Sequence, residues 1–205
     1  MAEPPQIRTT IENAIAEHLS AVESVRQQIA LLERIAAEMT RALGRGNKVL
    51  WCGNGGSAAD SQHLAAELVG RFQRQRRGLA SLALTTDTSI LTAVGNDFGF
   101  DQIFVRQVEA LCVRGDVLVG ISTSGNSRNV CLALEAARRL EAFTVAFTGP
   151  PGGQVSHLAD AVLAIGSQST ARVQEAHILC GHILCDWVEL QVWNEQQAGQ
   201  HKVGR

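Results

Sequence analysis

The chain has 205 residues, of which 45% are hydrophobic, and its 18 basic and 20 acidic side chains give a formal net charge of −2. That length suits a single domain with a sizeable core, and the near-neutral charge offers no basic excess for binding a run of nucleic-acid phosphates. The absence of tyrosine excludes a phenol as acid or nucleophile, and the absence of any run of 18 apolar residues predicts no membrane-spanning segment.

The N-terminal segment, about residues 1–45, is predicted to be a helical arm. It begins Met-Ala-Glu-Pro-Pro, which lacks the basic and then apolar order of a signal peptide. Apolar residues recur every three or four positions over 9–43, which indicates one long or two consecutive amphipathic helices. Because no strand precedes this stripe, we expect it to pack partly against another subunit and to serve oligomerisation.

Residues 46–193 are predicted to form an α/β core, because short apolar runs alternate there with helical patterns. Unbroken apolar strands that alternate with helices indicate a parallel sheet covered on both faces, a three-layer arrangement. We expect the polar tail, 194–205, to be frayed, and the whole chain, 1–205, to be one domain. The predicted strands are 48–52, 79–84, 116–121, 143–147 and 160–165, and the predicted helices are 58–71, 90–96, 104–111, 130–140 and about 170–193.

The cysteines are predicted to be reduced. Five are present without a CxxC pair, and four fall in apolar stretches, where cysteine behaves as a small hydrophobe. This pattern favours a cytoplasmic protein.

Two predicted strands end in loops rich in glycine and hydroxyl side chains, 53–57 and 122–127, and both loops lead directly into helices. Glycine permits close backbone approach, and hydroxyls together with helix N-terminal N–H groups hold an anion without a positive charge. Each loop alone fits an ordinary turn or N-cap about equally well. Together, at the carboxyl ends of parallel strands, they predict a site for a phosphorylated small molecule.

The first loop also fits the dinucleotide fingerprint GxGxxA, which is a weak signal by itself. That interpretation requires an acidic residue at the end of the second strand. The first acid after that strand, Asp87, comes too late in the chain, and no Walker motif is present. Dinucleotide binding and nucleoside triphosphate hydrolysis are therefore not expected.

Four polar side chains on two predicted helices have a spacing that suits a metal site. His63 and Glu67 are four residues apart on the helix after the first loop, and Gln174 and His182 are eight apart on the last helix. They could form a mixed nitrogen and oxygen site for a divalent ion such as zinc. A His/Glu pair four residues apart is more often a solvated helix face, His182 also fits a buried structural histidine, and His177 competes with it as the functional imidazole.

Residues 96–99, Asn-Asp-Phe-Gly, form a polar break that alone predicts a helix stop and a turn. With the loops and the last helix, this break resembles the phosphoheptose isomerase family of sugar isomerase (SIS) domains. The resemblance covers nearly the whole chain. The segments that carry it are 52–57 (CGNGGS), 94–100 (VGNDFGF), 115–118 (GDVL), 121–127 (ISTSGNS), 172–177 (RVQEAH) and 181–184 (GHIL).

The resemblance implies an SIS fold with a five-stranded parallel sheet and an aldose–ketose isomerase. The reaction expected for such an enzyme converts sedoheptulose 7-phosphate into D-glycero-D-manno-heptose 7-phosphate through an enediol. The product supplies heptose for bacterial lipopolysaccharide and other surface glycans. The resemblance further implies a cytoplasmic homotetramer with active sites between subunits, one zinc ion per subunit, and neither nucleic acid nor membrane as a partner.

The resemblance also implies a role for individual residues. Glu67 would be the base at carbon and His182 its partner acid or base. The zinc ligands implied are His63, Glu67, Gln174 and His182. The substrate-binding residues implied are Asn54, Gly55, Gly56, Ser57, Glu67, Asn96, Asp97 and Gln174 around the sugar and Ser122, Thr123, Ser124 and Ser127 around the phosphate.

The chain departs from the family pattern at one position and shares features with a sister group. Ala171 stands where some isomerases carry Asp three residues before the glutamine of the last helix. The surroundings of Arg172 and Cys185 also resemble a non-catalytic SIS protein that binds the replication initiator DnaA. The sister group lacks the glycine and the glutamate that stand here as Gly56 and Glu67, so their presence favours the enzyme over this regulator. The complete set of His63, Glu67, Gln174 and His182, which a pure binder would not need, favours it over a module that only senses phosphosugars.

Overall fold

The computed structural model describes residues 6–203 of the chain, and side-chain surroundings up to residue 198. Within these residues, two initial helices are followed by five strands with helical segments between them; two helices lie between the second and third strands, and a 3₁₀ turn alone lies between the fourth and fifth. Short 3₁₀ turns follow α4 and β4 at Phe100–Gln102 and Gln154–His157. The helices are α1 Ile7–Arg26, α2 Ile29–Gly44, α3 Gly56–Val69, α4 Thr88–Phe98, α5 Val105–Leu111, α6 Arg128–Arg139 and α7 Thr170–Val203. The strands are β1 Val49–Gly53, β2 Ser81–Ala83, β3 Val117–Ser122, β4 Phe143–Thr148 and β5 Ala161–Ala164.

The five strands form one parallel sheet in the order β2-β1-β3-β4-β5. Alternate residues of each strand enter two separate cores, as the two-residue period of a strand requires. In β1, Val49 and Trp51 pack under α2, α3 and α7, whereas Leu50 and Cys52 pack under α5 and α6. This arrangement confirms the three-layer architecture predicted from the sequence, a five-stranded parallel sheet flanked by helices.

The predicted N-terminal stripe divides into two helices with different surroundings. In α2, Ile35 and Met39 are fully buried against the chain's own sheet, so that part of the stripe does not need a second subunit. In α1, four apolar side chains stay more than half exposed: Ile7, Ile11, Ile15 and Leu19. The helical backbone is interrupted between α1 and α2 at Gln28. The side-chain amide of Gln28 forms hydrogen bonds with both the N–H and the carbonyl of Ala164 in β5.

The last helix is longer than predicted, because α7 continues to Val203 instead of ending near Trp193. The apolar pattern stops at Trp193, but Glu195 and the glutamines after it are good helix formers, so the backbone stays helical without a core to cover. The first residues of the predicted tail are therefore helical, and its last two residues, 204–205, lie outside the described residues. Despite this length, none of the described helices has an apolar stretch long enough to cross a bilayer.

All five cysteines are buried and unpaired with one another, which fits the small-hydrophobe interpretation. Burial raises the pKa of the Cys52 and Cys180 thiols to about 12, so both stay protonated near neutral pH.

Candidate functional site

The loops that follow β1 and β3 are joined side by side at the carboxyl edge of the sheet. Asn54 and Asn129 form two reciprocal amide hydrogen bonds of 2.9 Å, which link the first loop to α6. Gly53 permits a close approach, because a Cβ there would lie 2.8 Å from the Ser57 Cβ and 3.0 Å from the Ile121 carbonyl oxygen. The first glycine-rich loop therefore lies directly beside the end of β3 and the start of α6, the two elements that flank the second loop.

Three serine hydroxyls converge where the second loop enters α6. The Ser122 hydroxyl donates to the Ser127 Oγ at 2.9 Å and lies 3.5 Å from the Ser124 Oγ. Ser127 is the N-cap of α6, and its hydroxyl makes no capping hydrogen bond to the helix. Thr123 is half-buried, and its carbonyl accepts a hydrogen bond from Gly149. Hydroxyls grouped at a helix N-terminus can hold the oxygens of an anion.

A glycine-rich segment after β4, residues 149–153, packs against the loop that carries this hydroxyl cluster. This contact was not predicted from the sequence. The Val155 N–H donates to the Gly125 carbonyl, and the Gln154 N–H donates to the Asn126 side chain. Gly125 and Gly153 touch so closely that a Cβ on Gly153 would lie 2.6 Å from the Gly125 carbonyl carbon. Side chains at these two positions would separate the segments.

His63, Glu67 and His182 come together where α3 packs against α7. The Nε2 atoms of the two histidines are 2.8 Å apart, and His63 Nε2 lies 3.4 Å from Glu67 Oε1. One ligand atom from each residue lies within 4.8 Å of the other two. Two imidazole nitrogens and a carboxylate oxygen this close together are the donors that zinc and similar divalent ions take, so the residues fit such an ion.

The environment of His182 favours the neutral imidazole. Burial and the neighbouring His63 both lower the pKa of His182, against the opposing effect of Glu67. Neutral imidazole is the form that ligates a metal.

Gln174 lies on α7 two turns before His182, and its amide is placed against Gly56, the first residue of α3. A Cβ on Gly56 would collide with that amide, which explains why a glycine fits there. The contact joins the last helix to the first loop.

Asn96 and Asp97 occupy the last turn of α4, where both are exposed. The Asn96 side-chain amide donates to the Asp97 carboxylate at 2.8 Å. A cleft of about 170 Å³ separates the first loop from the turn after α4, and Phe100 and Phe104 line its far wall. Asn96 and Asp97 are not among the described residues that line this cleft.

Three further residues contact this region without having been predicted. Asp60 has a buried carboxylate oxygen with no hydrogen-bond partner, and burial raises the pKa of Asp60 against the opposing effect of His63. Phe72 stacks on the His182 ring, and Glu189 binds the backbone beside Phe72. For Asp60 a signal existed in the sequence, because it lies three residues before His63 on one face of α3.

His177 does not join the cluster. It is buried in α7, and its Nε2 lies 3.1 Å from the Thr148 carbonyl oxygen at the end of β4. Burial lowers the pKa of His177 to about 4, so the ring is neutral near pH 7. Of the two histidines that competed in the sequence, His182 is the one beside His63 and Glu67.

The chain is similar to SIS-domain proteins and, among them, to phosphoheptose isomerases. A family model of the SIS domain matches residues 12–149. A phosphoheptose isomerase of Aquifex aeolicus is 57% identical over 85% of this chain and 90% of its own length. The structure of phosphoheptose isomerase GmhA from Neisseria gonorrhoeae has a TM-score of 0.85 at 44% identity, covering 90% of this chain and 99% of that one. A phosphoheptose isomerase structure from Francisella tularensis has a TM-score of 0.87 at 36% identity, covering 91% and 100%.

Proposed function

The chain belongs to the SIS domain family and, within it, to the phosphoheptose isomerases, and we infer from this that its site acts on a seven-carbon sugar phosphate. The enzyme is an aldose–ketose isomerase that converts sedoheptulose 7-phosphate into D-glycero-D-manno-heptose 7-phosphate, in bacterial heptose biosynthesis. The observation that carries this conclusion is 57% identity to a phosphoheptose isomerase over 85% of the chain. We further propose that the heptose is incorporated into lipopolysaccharide and other surface glycans.

The phosphate of the substrate is proposed to bind in the hydroxyl cluster at the start of α6. Ser122, Ser124 and Ser127 already have their hydroxyls directed at one another, and Thr123 lies in the same loop. A phosphate in this position would accept hydrogen bonds from hydroxyls and from N–H groups of the helix end. The sugar would then extend toward the first loop, along Asn54, Gly55, Gly56 and Ser57.

Glu67 and His182 are proposed to carry the proton transfers. Isomerisation moves a proton from C1 of the ketose to C2 and passes through an enediol, while a second proton moves from the O1 hydroxyl to O2. In this proposal the Glu67 carboxylate takes the proton from C1 and returns it to C2, and His182 transfers the proton between the oxygens. Support comes from the position of both groups in one cluster between α3 and α7.

A divalent ion, zinc by the chemistry of the donors, is proposed to occupy the cluster with one ion per subunit. His63, Glu67 and His182 would hold it, and Gln174 would join them from α7. Such an ion supplies polarisation of the sugar carbonyl and hydroxyl oxygens. The convergence of two imidazole nitrogens with a carboxylate oxygen supports the assignment.

We propose that the enzyme is a cytoplasmic homotetramer whose active sites lie between subunits. The exposed apolar stripe of α1 supports this, as does α4, which has no buried residue. Phe98 at the end of α4 and Phe100 in the 3₁₀ turn after it are both more than half exposed. An apolar groove of about 640 Å³ between α1, α2 and α7 lies outside the cluster and offers further surface for a neighbouring copy. A subunit that covers α4 would bring Asn96 and Asp97 into a shared site.

The oligomer is tested by introducing charge into the exposed stripe. The double substitution Ile11→Glu and Ile15→Glu is expected to yield smaller species by light scattering, with an unchanged circular dichroism spectrum. The matched control, Glu12→Gln on the same helix, is expected to remain tetrameric. A double variant that stays tetrameric would show that α1 is not the interface.

The activity is tested with purified protein and sedoheptulose 7-phosphate, with and without a chelator. We expect the aldose product, loss of turnover on chelation, and recovery when Zn²⁺ is restored. The initiator-binding regulator is not favoured, and it predicts no aldose product under metal-replete conditions. A protein that binds the sugar phosphate without converting it would instead act as a phosphosugar sensor.

A further inference from the structure

A buried carboxylate on α7 holds the segment that connects α3 to β2, residues 70–80. Glu189 has no exposed surface, and it accepts hydrogen bonds from three successive backbone N–H groups, those of Phe72 (2.8 Å), Gln73 (2.7 Å) and Arg74 (2.8 Å). Burial alone would raise the pKa of Glu189, but these N–H groups and Arg76 lower it, so the carboxylate is charged. A buried charge with this many donors fixes the backbone that it binds.

Arg76 extends this attachment to α3. Its side chain has no exposed surface, and one guanidinium nitrogen lies 3.4 Å from the Glu189 carboxylate. The guanidinium also donates to the Glu67 carbonyl at 2.8 Å and to the Gly70 carbonyl at 2.8 Å. The buried ion pair therefore joins α7, the connecting segment and the part of α3 that carries Glu67.

The held segment places Phe72 against His182. The two rings are stacked, with centroids 5.4 Å apart and planes inclined by 27°. At its edge, the same imidazole places its Nε2 2.8 Å from His63 Nε2. Glu189 follows His182 by seven residues, two helical turns, so one face of α7 carries the imidazole and the carboxylate that fixes the ring stacked on it.

We propose that Phe72 and Glu189 are positioning residues for His182. An imidazole rotates about two side-chain bonds, and a ring fixed against its face restricts that rotation, which keeps Nε2 directed at His63 and Glu67. Glu189 acts one step further away, by holding the backbone of Phe72. The inference rests on the proposed function only in taking the cluster as a metal site, where groups that orient a ligand change metal affinity by about 10- to 100-fold.

A matched pair of substitutions at Phe72 tests this inference. Phe72→Leu removes the aromatic face and keeps an apolar side chain, whereas Phe72→Tyr keeps the face. In Co²⁺ titrations followed by visible absorption, we expect affinity about 10-fold weaker for Phe72→Leu and close to wild type for Phe72→Tyr. Turnover of sedoheptulose 7-phosphate should show a lower kcat at nearly unchanged KM in the leucine variant alone. Phe143→Leu, at the opposite edge of the sheet, is the control for loss of a phenyl ring and should change neither quantity.

A second measurement uses the metal-free protein and is independent of turnover. The stacked ring should shift the carbon-bound ring protons of His182 upfield in NMR spectra, and this shift should persist in Phe72→Tyr and disappear in Phe72→Leu. Glu189→Gln, which keeps the shape but removes the charge, should reduce the shift in the same direction. A Phe72→Leu protein that retains both the upfield shift and wild-type Co²⁺ affinity would overturn the inference. Wild-type protein that binds no Co²⁺ would refute the proposed metal site, while the metal-free spectra would still decide the positioning role.

Discussion

The two halves of the candidate site differ in what holds them. The cluster between α3 and α7 is fixed by the chain itself, because a buried ion pair, an amide contact and a stacked ring restrain its members. Asn96 and Asp97, on the other half, end a helix that has no buried residue. We call the cluster between α3 and α7 the fixed half and the end of α4 the open half. Substitutions in the fixed half should affect chemistry or stability, whereas substitutions in the open half should affect binding without affecting stability.

The largest effect is expected from Glu67→Gln in the fixed half. Because the amide cannot accept the proton from carbon, turnover should fall by about 10³-fold. Binding of sedoheptulose 7-phosphate, measured by isothermal titration calorimetry, should persist because the hydroxyl cluster is intact. Glu38→Gln, on α2 away from the site, is the control for loss of one carboxylate. A fully active Glu67→Gln enzyme would refute the assignment of the base.

The next effect concerns stability and follows from His177, which lies outside the cluster and is buried in neutral form between α7 and the end of β4. Its pKa of about 4 in the folded protein lies below that of an unfolded histidine, about 6.5, so between these pH values the unfolded chain binds more protons. The stability associated with the neutral His177 is therefore fully present above about pH 6.5. As the pH falls toward 4, the free energy of unfolding decreases by about 3 kcal/mol in total.

Urea unfolding measured between pH 4 and 7 checks this expectation. The slope of unfolding free energy against pH should decrease in His177→Gln, which cannot titrate, and should persist in His157→Gln, which alters an exposed histidine. An unchanged slope in His177→Gln would mean that other groups carry the acid sensitivity.

A smaller effect is expected from Ser127→Ala, which removes one hydroxyl from the cluster at the start of α6. A hydrogen bond to a charged group contributes about 1.5–3 kcal/mol, so the KM for sedoheptulose 7-phosphate should rise by about 10- to 100-fold. Metal affinity should not change, because Ser127 lies at the start of α6 whereas the proposed metal ligands lie on α3 and α7. Steady-state kinetics with and without added inorganic phosphate tests the assignment, since weaker inhibition by phosphate should accompany the higher KM. An unchanged inhibition constant would remove Ser127 from the phosphate site.

The smallest effect is expected from Asn96→Ala in the open half. We expect kcat/KM to fall by about fivefold, as for loss of one neutral hydrogen bond, and the unfolding free energy to stay within about 0.5 kcal/mol of wild type. Ser89→Ala, exposed on the same helix, is the control and should change neither value. A large loss of stability in Asn96→Ala would contradict the division between the fixed and open halves.

The sequence predicted the parts of the site that depend on periodicity. His63 and Glu67 share a helix face because they are four residues apart, and the alternation of strands and helices places both ligand loops at one edge of the sheet. The contact between His63 and His182 requires, in addition, that α3 packs against α7.

The remaining parts depend on contacts that no local pattern encodes. The segment that carries Phe72 has irregular backbone, so its path is set by Glu189, more than a hundred residues later in the chain. Apolar spacing also could not distinguish Met39, buried in its own core, from Ile11, which faces solvent. The continuation of α7 beyond Trp193 was missed because a helix persists there without an apolar face.

Because α7 is a single continuous helix, it restricts where insertions and deletions can occur among homologous chains. Gln174, His182 and Glu189 lie on one unbroken helix, so their separations are multiples of the rise per residue, about 12 Å and then about 10 Å. Inserting or deleting one residue between them would turn everything beyond it by about 100° and would move the imidazole or the carboxylate off its partner. Between these three positions, homologous enzymes can therefore differ by substitution but not by single-residue insertion or deletion, and length changes should collect in the connecting loops instead.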